Sequence, residues 1–315
     1  MSKADANGWV AAFLAYILWG FFPLYFHLLN RSNAVEIVSH RIIWSLVFCT
    51  IAVAATRGWP KVRSALTDRK LVWTLLGAGV LVSLNWLVYV YAVVTDQVVD
   101  AALGYFINPL ITVLLAVVFL RERVSRGQIV ALGIGLVAVL VIIIGYGRFP
   151  WIGLGVSLTF GFYSLLKKRV GDRVTAAVGL GIETTALAPI SLAYIVFLEI
   201  TGRGTFSTIN LEYALLLAGA GIVTAVPLLL FAVGVARVKL VSIAFIQYLT
   251  PVLQLLIGVV IFHEHMPLAR WIGFGLVWLA LIVLSWDTLH NARLKAQMKD
   301  GNASLDEDLT EPQAE

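Results

Sequence analysis

The sequence predicts an all-α integral membrane protein of ten transmembrane helices, arranged as two inverted repeats of five. Three observations lead there. Ten mainly apolar runs, each near the roughly 20 residues a helix needs to cross a bilayer, follow one another with short polar joints. Lys and Arg collect in alternate joints, 18 on one side against 4 on the other, with Arg41 inside a run. The first half of the chain also lies on the second at a shift of 141 or 142 residues.

Composition supports the class. The chain has 315 residues, 60% hydrophobic and 13% charged, whereas soluble domains carry roughly 25% charge. So little polar surface could not keep so many apolar side chains dispersed in water, which excludes a soluble enzyme and excludes disorder for most of the chain. Cys49 is the only cysteine and stands in an apolar run, so a disulfide scaffold is excluded as well.

The runs in order are Gly8–Leu29, Ala34–Thr56, Leu71–Thr95, Val98–Leu120, Gln128–Tyr146, Trp151–Leu166, Thr175–Ile200, Tyr213–Val235, Val241–Phe262 and Leu268–Leu289. Leucine, glycine and aromatics mix in them without period-two alternation, which favours helices over barrel strands. The first run exceeds the apolar core of a signal peptide and reads as a retained helix. The sixth is short and ends in Lys167, Lys168 and Arg169. The basic-residue bias places both termini in the cytoplasm and fits an even number of helices in the inner (plasma) membrane. It also accounts for the net charge of +5, so no nucleic-acid partner is implied. Residues 1–7 read as a cytoplasmic N-terminal tail, 8–147 as the first repeat and 148–289 as the second. Residues 290–315, polar and acid-rich (Asp306, Glu307, Asp308), read as a disordered cytoplasmic tail.

The repeat is specific at its motifs. A shift of 142 places Phe106-Ile-Asn-Pro109 on Tyr248-Leu-Thr-Pro251, Glu122 on Glu264, Gly133 on Gly275, and Gly77 and Gly79 on Gly219 and Gly221. A shift of 141 places Gly20-Phe21-Phe22-Pro23-Leu24 on Gly161-Phe162-Tyr163-Ser164-Leu165. Five helices per unit is an odd number, so the second unit must sit upside down relative to the first. Two similar units of opposite orientation can exchange conformations, which turns an outward-open path into an inward-open one.

The segments Trp19-Gly-Phe-Phe-Pro23, Ser39-His-Arg-Ile-Ile-Trp44, Asn85-Trp86, Leu103-Gly-Tyr-Phe-Ile-Asn-Pro109, Ile182-Glu-Thr184 and Gln247-Tyr248 before Pro251 resemble the drug/metabolite transporter superfamily. The branch is that of EamA domains, and within it the RarD-type permeases. The resemblance covers the chain up to about Leu289. It implies two EamA repeats enclosing a substrate path, with the first four helices of each lining it and the fifth of each buttressing it. Relatives carry amino acids, nucleotide sugars and other metabolites, or expel drugs, and RarD-like proteins are named for a link to chloramphenicol sensitivity. EamA units often end the fourth helix in Gly-Glu; here Arg121 and His263 stand where that glycine would be.

An ionisable side chain inside a span costs on the order of 2.5–3.5 kcal/mol at the helix centre, so such residues are site candidates. Arg41 lies roughly 10 Å into the second run and Glu183 roughly 12 Å into the seventh, at 1.5 Å per residue. The 142 shift superimposes them. They read either as a structural or gating pair or as holders of the two ends of a zwitterionic substrate. His40 precedes Arg41 and faces another way, so it is either a proton relay or a hydrogen-bonded helix-end residue. Asp96 and Asp100 flank the external turn, and Asp100, near a helix start whose dipole favours it, reads either as an acting carboxylate or as a solvated turn or first-turn residue. Asn85, Trp86, Tyr89, Tyr105, Asn108, Gln247 and Tyr248 form a second candidate set, offering hydrogen bonds and flat apolar faces to an amphipathic solute. Pro109 and Pro251 read as symmetric kinks and moving hinges. Glu122 and Glu264, at helix ends, are expected to fix the turn into the next helix by accepting from free backbone amides.

Gly133-Ile-Gly135 lies inside an apolar run with no preceding strand, so it is helix packing rather than a dinucleotide loop. His263-Glu264-His265 does not have zinc-protease spacing, and no metal, cofactor or catalytic residue is implied. The expected function is a non-enzymatic secondary transporter moving a small amphipathic metabolite, an amino acid or related compound, by alternating access. The rival readings are an intramembrane lipid-modifying enzyme and a non-transporting membrane subunit. Partners are the substrate and the lipid bilayer, with coupling to protons or an exchanged substrate, and a homodimer, left open.

Overall fold

A computed structural model describes residues 3–120, 124–170, 173–235 and 246–310. Among these residues every regular element is a helix. In chain order they are α1 (Lys3–Gly20), α2 (Phe22–His27), α3 (Ala34–Ala55), α4 (Trp59–Thr67), α5 (Arg69–Val94), α6 (Val98–Leu120) and α7 (Arg126–Tyr146). The second half supplies α8 (Trp151–Val170), α9 (Ala176–Thr185), α10 (Ala188–Ile200), α11 (Thr205–Thr208), α12 (Leu211–Val235), α13 (Leu249–Leu256) and α14 (Leu268–Thr310). A π-helical turn, Ile257–Ile261, follows α13. Glu122, Arg121 and the first part of the ninth run, Val241–Phe245, lie outside the described residues.

Local chemistry sets the helix ends. The side chains of Asn33 and Asp68 accept from the amides of Glu36 (2.9 Å) and Leu71 (3.0 Å), occupying donors with no partner inside α3 and α5. Ser125 and Gln128 form a reciprocal capping box at the start of α7, and Gly147 closes that helix at φ 69°. Pro23, Pro60 and Pro189 occupy first-turn positions of α2, α4 and α10, where a missing N–H is harmless.

Among the described residues, seven helices are long and apolar enough to cross a membrane: Asn7–His27, Ala34–Ala55, Arg69–Val94, Val98–Phe119, Arg126–Gly145, Leu211–Phe231 and Leu268–Asn291. The pair α9 and α10 passes the same test together but bends by 56°. The seventh run is therefore broken, because Pro189 cannot donate to the carbonyl four residues back. α8 and the shorter Leu249–Ile261 are not among the seven. Many large apolar side chains stand outward, Ile144 and Ile200 each 81% exposed, which is tolerable where lipid rather than water surrounds them. The protein is an integral membrane protein.

Two helices extend past their apolar runs. The sixth helix extends past Leu166 to Val170, which brings Lys167 into the helix. α14 runs beyond its apolar run as far as Thr310. Polarity argues against burial but not against a helix, and the stretch Arg293-Leu-Lys-Ala-Gln-Met-Lys299 consists of strong helix formers.

Contacts divide the chain into two units, Met1–Leu115 with Pro150–Met266, and Ala116–Phe149 with Pro267–Glu315. In the second, α7 and α14 pack antiparallel. Gly127 meets Asp287, Gly145 meets Ala269, and Gly273 meets Ile142. In the first, the core gathers around Phe26, Leu29, Ile37, Val90 and Leu217, all fully buried. There α3 packs on α12 while α5 packs on α9, and α1 packs on α12 and α13 while α5 packs on α8. Two glycines permit the closest of these approaches. A Cβ on Gly79 would sit 2.2 Å from the Glu183 carbonyl oxygen, and one on Gly221 would sit 2.4 Å from the Trp44 carbonyl carbon.

Those distances leave no room for a methyl group. Gly79→Ala and Gly221→Ala should each destabilise by about 1–3 kcal/mol through forced helix separation, lowering the thermal unfolding midpoint of detergent-purified protein. Gly133→Ala, where a Cβ meets nothing within 4 Å, should leave the midpoint unchanged or raise it.

Candidate functional site

The two intramembrane charges are both deeply buried, Arg41 at 3% exposure and Glu183 at 1%. No ion pair joins them in this structure. Arg41, on α3, lays its guanidinium over the ring of Trp86 on α5, with 4.2 Å from the guanidinium carbon to the ring centroid. Phe26 and Phe22 on α2 follow at 5.1 and 5.6 Å. Its Nε donates to Thr224 Oγ1 on α12 at 2.6 Å. That hydroxyl donates to the Ala220 carbonyl at 2.7 Å, so its lone pairs are turned toward the guanidinium. Nη1 is buried with no hydrogen-bond partner among the described residues.

Glu183, on α9, is compensated inside the protein. Lys167 Nζ on α8 donates to Oε1 at 2.6 Å, and Tyr163 OH donates to Oε2 at 3.3 Å. Tyr163 and Lys167 are four residues apart and so share one helix face. The repeat makes the comparison direct. A shift of 142 carries Arg41 onto Glu183, and a shift of 141 carries Phe22 and Phe26 onto Tyr163 and Lys167. Equivalent helix positions thus offer rings to a cation in one half and hydrogen-bond donors to an anion in the other.

Magnitudes separate the two charges. Removing an ion from water costs several kcal/mol after relaxation. Lys167 returns much of that to Glu183 through a short charge-assisted bond. Arg41 gains about 2 kcal/mol from a desolvated aromatic face and about 1.5–3 kcal/mol from its one hydrogen bond. The unbonded Nη1 costs about 1–3 kcal/mol more. The carboxylate is neutralised by its surroundings and the guanidinium is only partly so.

The second candidate set divides. Trp86 and Tyr89 are buried beside Arg41, and Tyr89 and Tyr105 are its electrostatic neighbours. The Tyr89 ring lies 5.9 Å from that of Tyr105 and 6.2 Å from that of Phe26. Asn85 is occupied elsewhere, donating to the Val156 carbonyl (2.9 Å) and Thr159 Oγ1 (3.1 Å) as a tie between α5 and α8. Asn108 is half-buried, and its Oδ1 lacks a partner among the described residues. Gln247 and Tyr248 are half-buried ahead of α13. The residue of that segment that reaches the aromatic group is Gln254, 1% exposed, whose Nε2 donates to the Trp19 carbonyl (3.1 Å) and to Tyr89 OH (3.4 Å). His40 faces away from Arg41 and stacks on Phe206 at 4.8 Å. Neither ring nitrogen has a hydrogen-bond partner among the described residues. Pro109 lies inside α6, whereas Pro251 lies in the first turn of α13, so the two prolines do not make matching kinks.

Sequence reasoning misses Lys167, Tyr163, Thr224, Phe22, Phe26 and Gln254 as contacts of the site. The spacing of Tyr163 and Lys167 is a usable signal for a shared face; nothing local marks Thr224 or Gln254. Glu264 accepts from free helix amides at the start of α6, those of Val98 (2.5 Å) and Val99 (3.0 Å). It takes the dipole position considered for Asp100. A second buried carboxylate, Glu36, accepts from the amide (2.6 Å) and hydroxyl (2.9 Å) of Thr205. Ser32 joins Thr205 and Tyr213 (2.8 Å) beside it.

Lys167→Met should leave Glu183 buried and uncompensated, lowering stability by about 3 kcal/mol, with Glu183→Gln recovering most of the loss in the double variant. In a cycle of Arg41→Ala and Glu183→Ala, unfolding free energies should add to within about 0.5 kcal/mol, as for side chains that do not touch. Mutual rescue would mean that the two charges pair.

Comparison with known proteins gives the family. Two stretches, residues 6–144 and 150–286, match the EamA-like transporter family. The chain is 45% identical over 288 residues to Protein RarD of Streptomyces exfoliatus, covering 91% of this chain and 90% of that one. It is 38% identical over 294 residues to the uncharacterized transporter YojE of Bacillus subtilis (strain 168), covering 91% and 96%. A solved crystal structure with 18% identity superimposes with a TM-score of 0.58, covering 89% of this chain and 97% of the other, and shares the fold. A helical membrane protein with two family matches and full-length relatives of this kind belongs to the EamA-like transporter family, as a RarD-type permease.

Proposed function

We propose that this protein is a secondary transporter that moves a small amphipathic metabolite across the plasma membrane by alternating access between two inverted five-helix repeats. One observation carries the reading: the halves exchange equivalent contacts. Gly20 packs on Leu253, and Gly161 packs on Ile111. Applying the repeat shifts to the first contact yields the second. Gly79 approaches residue 183 while its counterpart Gly221 approaches residue 44, one helical turn from Arg41, the counterpart of 183. A twofold axis in the membrane plane exchanges contacts in this way, and the odd number of helices per repeat requires such an axis. Ten spans then comprise the seven apolar helices, the bent α9–α10 pair, α8, and the ninth helix ending in Leu249–Ile261. Both termini are cytoplasmic in this reading, as the distribution of Lys and Arg favours.

The chemistry suits a solute with one polar end and an apolar body. Trp86, Tyr89, Tyr105, Phe22 and Phe26 offer flat apolar faces beside Arg41, and Gln254 offers an amide. The sequence has no phosphate-binding loop, so uphill movement draws on an ion gradient, an exchanged solute or the membrane potential. Pro109, which removes a backbone donor inside α6, and Pro251, in the first turn of α13 at the equivalent point of the other repeat, serve as hinges.

Two experiments address this reading. In a Cys49→Ser background, Arg69→Cys and Arg169→Cys should react with an impermeant maleimide from the cytoplasmic side only; labelling from opposite sides would rule out the inverted arrangement. In proteoliposomes, a metabolite that raises the thermal stability of the purified protein should exchange across the bilayer. Pro109→Ala with Pro251→Ala should slow that exchange several-fold more than it weakens binding, and equal losses would remove the hinges.

A further inference from the structure

The site around Arg41 carries one more inference, which rests on the transporter reading and narrows its substrate. We propose that the substrate carries a net negative charge, a carboxylate on an aromatic or branched apolar body, and that Arg41 takes the carboxylate while Trp86, Phe22 and Phe26 take the body. The Glu183 carboxylate would be the natural partner for a substrate ammonium, but both of its oxygens are engaged, by Lys167 at 2.6 Å and Tyr163 at 3.3 Å. Arg41 is the charge left over. Its Nε is committed to Thr224, its face is covered by Trp86, and Nη1 is buried with no partner among the described residues. Guanidinium geometry matches a carboxylate edge with two parallel N–H donors, so a ligand oxygen at Nη1 supplies what the protein omits.

The aromatic setting fixes the rest of the class. Rings stacked on a guanidinium leave its edge for the anion and line the surroundings with apolar surface. Gln254 Oε1, also buried and without a partner among the described residues, sits on the side chain that reaches Tyr89. It accepts a hydrogen bond from a hydroxyl or amide N–H on the substrate and repels a second carboxylate. The class is therefore monocarboxylate rather than dicarboxylate, zwitterion or amine.

The test needs no knowledge of the natural substrate. Dissociation constants of the full-length protein in detergent are measured for 3-phenylpropionate, phenylalanine, 3-phenylpropanamide and phenethylamine, which share one body and differ in charge. An isobutyl series, 4-methylpentanoate with leucine and the matching amide and amine, repeats the comparison. The carboxylates should bind roughly tenfold to a hundredfold more tightly than their amides, with the amines weakest. Arg41→Gln should remove that preference, and Arg41→Lys should keep part of it. The comparison within wild-type protein stands even if the Arg41 variants do not fold. Equal binding of acid and amide, tighter binding of the amino acid, or no binding by either carboxylate would overturn the inference. The transporter reading fails separately: a carboxylate that binds in detergent and shows no exchange in proteoliposomes counts against transport and leaves the anion site in place.

Discussion

Arg41 and Glu183 occupy equivalent positions in the two halves, and how each charge is compensated constrains everything around it. Hydrocarbon supplies no water to hydrate a charge, so every ion taken inward needs a protein partner or a ligand. Glu183 has such a partner in Lys167, reachable only because α8 continues through Val170. Arg41 has rings, one hydroxyl and an unused N–H. The glycines that let the helices approach, Gly79 under Glu183 and Gly221 under Trp44, are what allow these side chains to reach neighbours on other helices.

The same scarcity of water governs the helix ends. Glu264 satisfies two amides at the start of α6, and Glu36 satisfies the Thr205 amide at the start of a short helix. Each carboxylate ties together segments far apart in sequence while answering backbone donors that would otherwise be unmet. These are helix-capping contacts made over long range, and they close the loops of the first unit without a disulfide.

Much of this is legible in the sequence because the bilayer imposes coarse, one-dimensional rules. Apolar run length locates the helices, and the position of Arg41 inside a run is enough to mark it as costly. The 142 shift points to Glu183 as its counterpart. Partner choice is not legible, because it depends on rotation about a helix axis and on which helix lies opposite. Run length ends the sixth helix too soon and so counts Lys167 as a topological charge. The repeat favours Gln247 over Gln254 by superimposing it on Tyr105, whereas the position facing Tyr89 is two turns further on. The bend at Ala186–Leu187 leaves no mark on hydropathy, which remains high around Pro189. The Glu264 contact with Val98 and Val99 is not legible either, since only the fold brings the start of α6 near.

A symmetric scaffold with unlike charges has a consequence for the proposed cycle. If the halves exchange conformations, Arg41 keeps Trp86, Phe22 and Phe26, which lie in its own half, but leaves Thr224, its hydrogen-bond partner in the other half, and a guanidinium without that bond pays more desolvation at every intermediate position. A bound carboxylate travels with it and lowers that barrier, while Glu183 keeps Lys167 and Tyr163, which lie in its own half and need not be exchanged. Loaded and empty protein then differ in how readily they change state, because the ligand has differential affinity along the path. An unloaded carrier that resists the transition does not waste a gradient. In the proposed cycle one half would supply a pair that stays together through the motion, and the other an open charge that makes the motion depend on cargo.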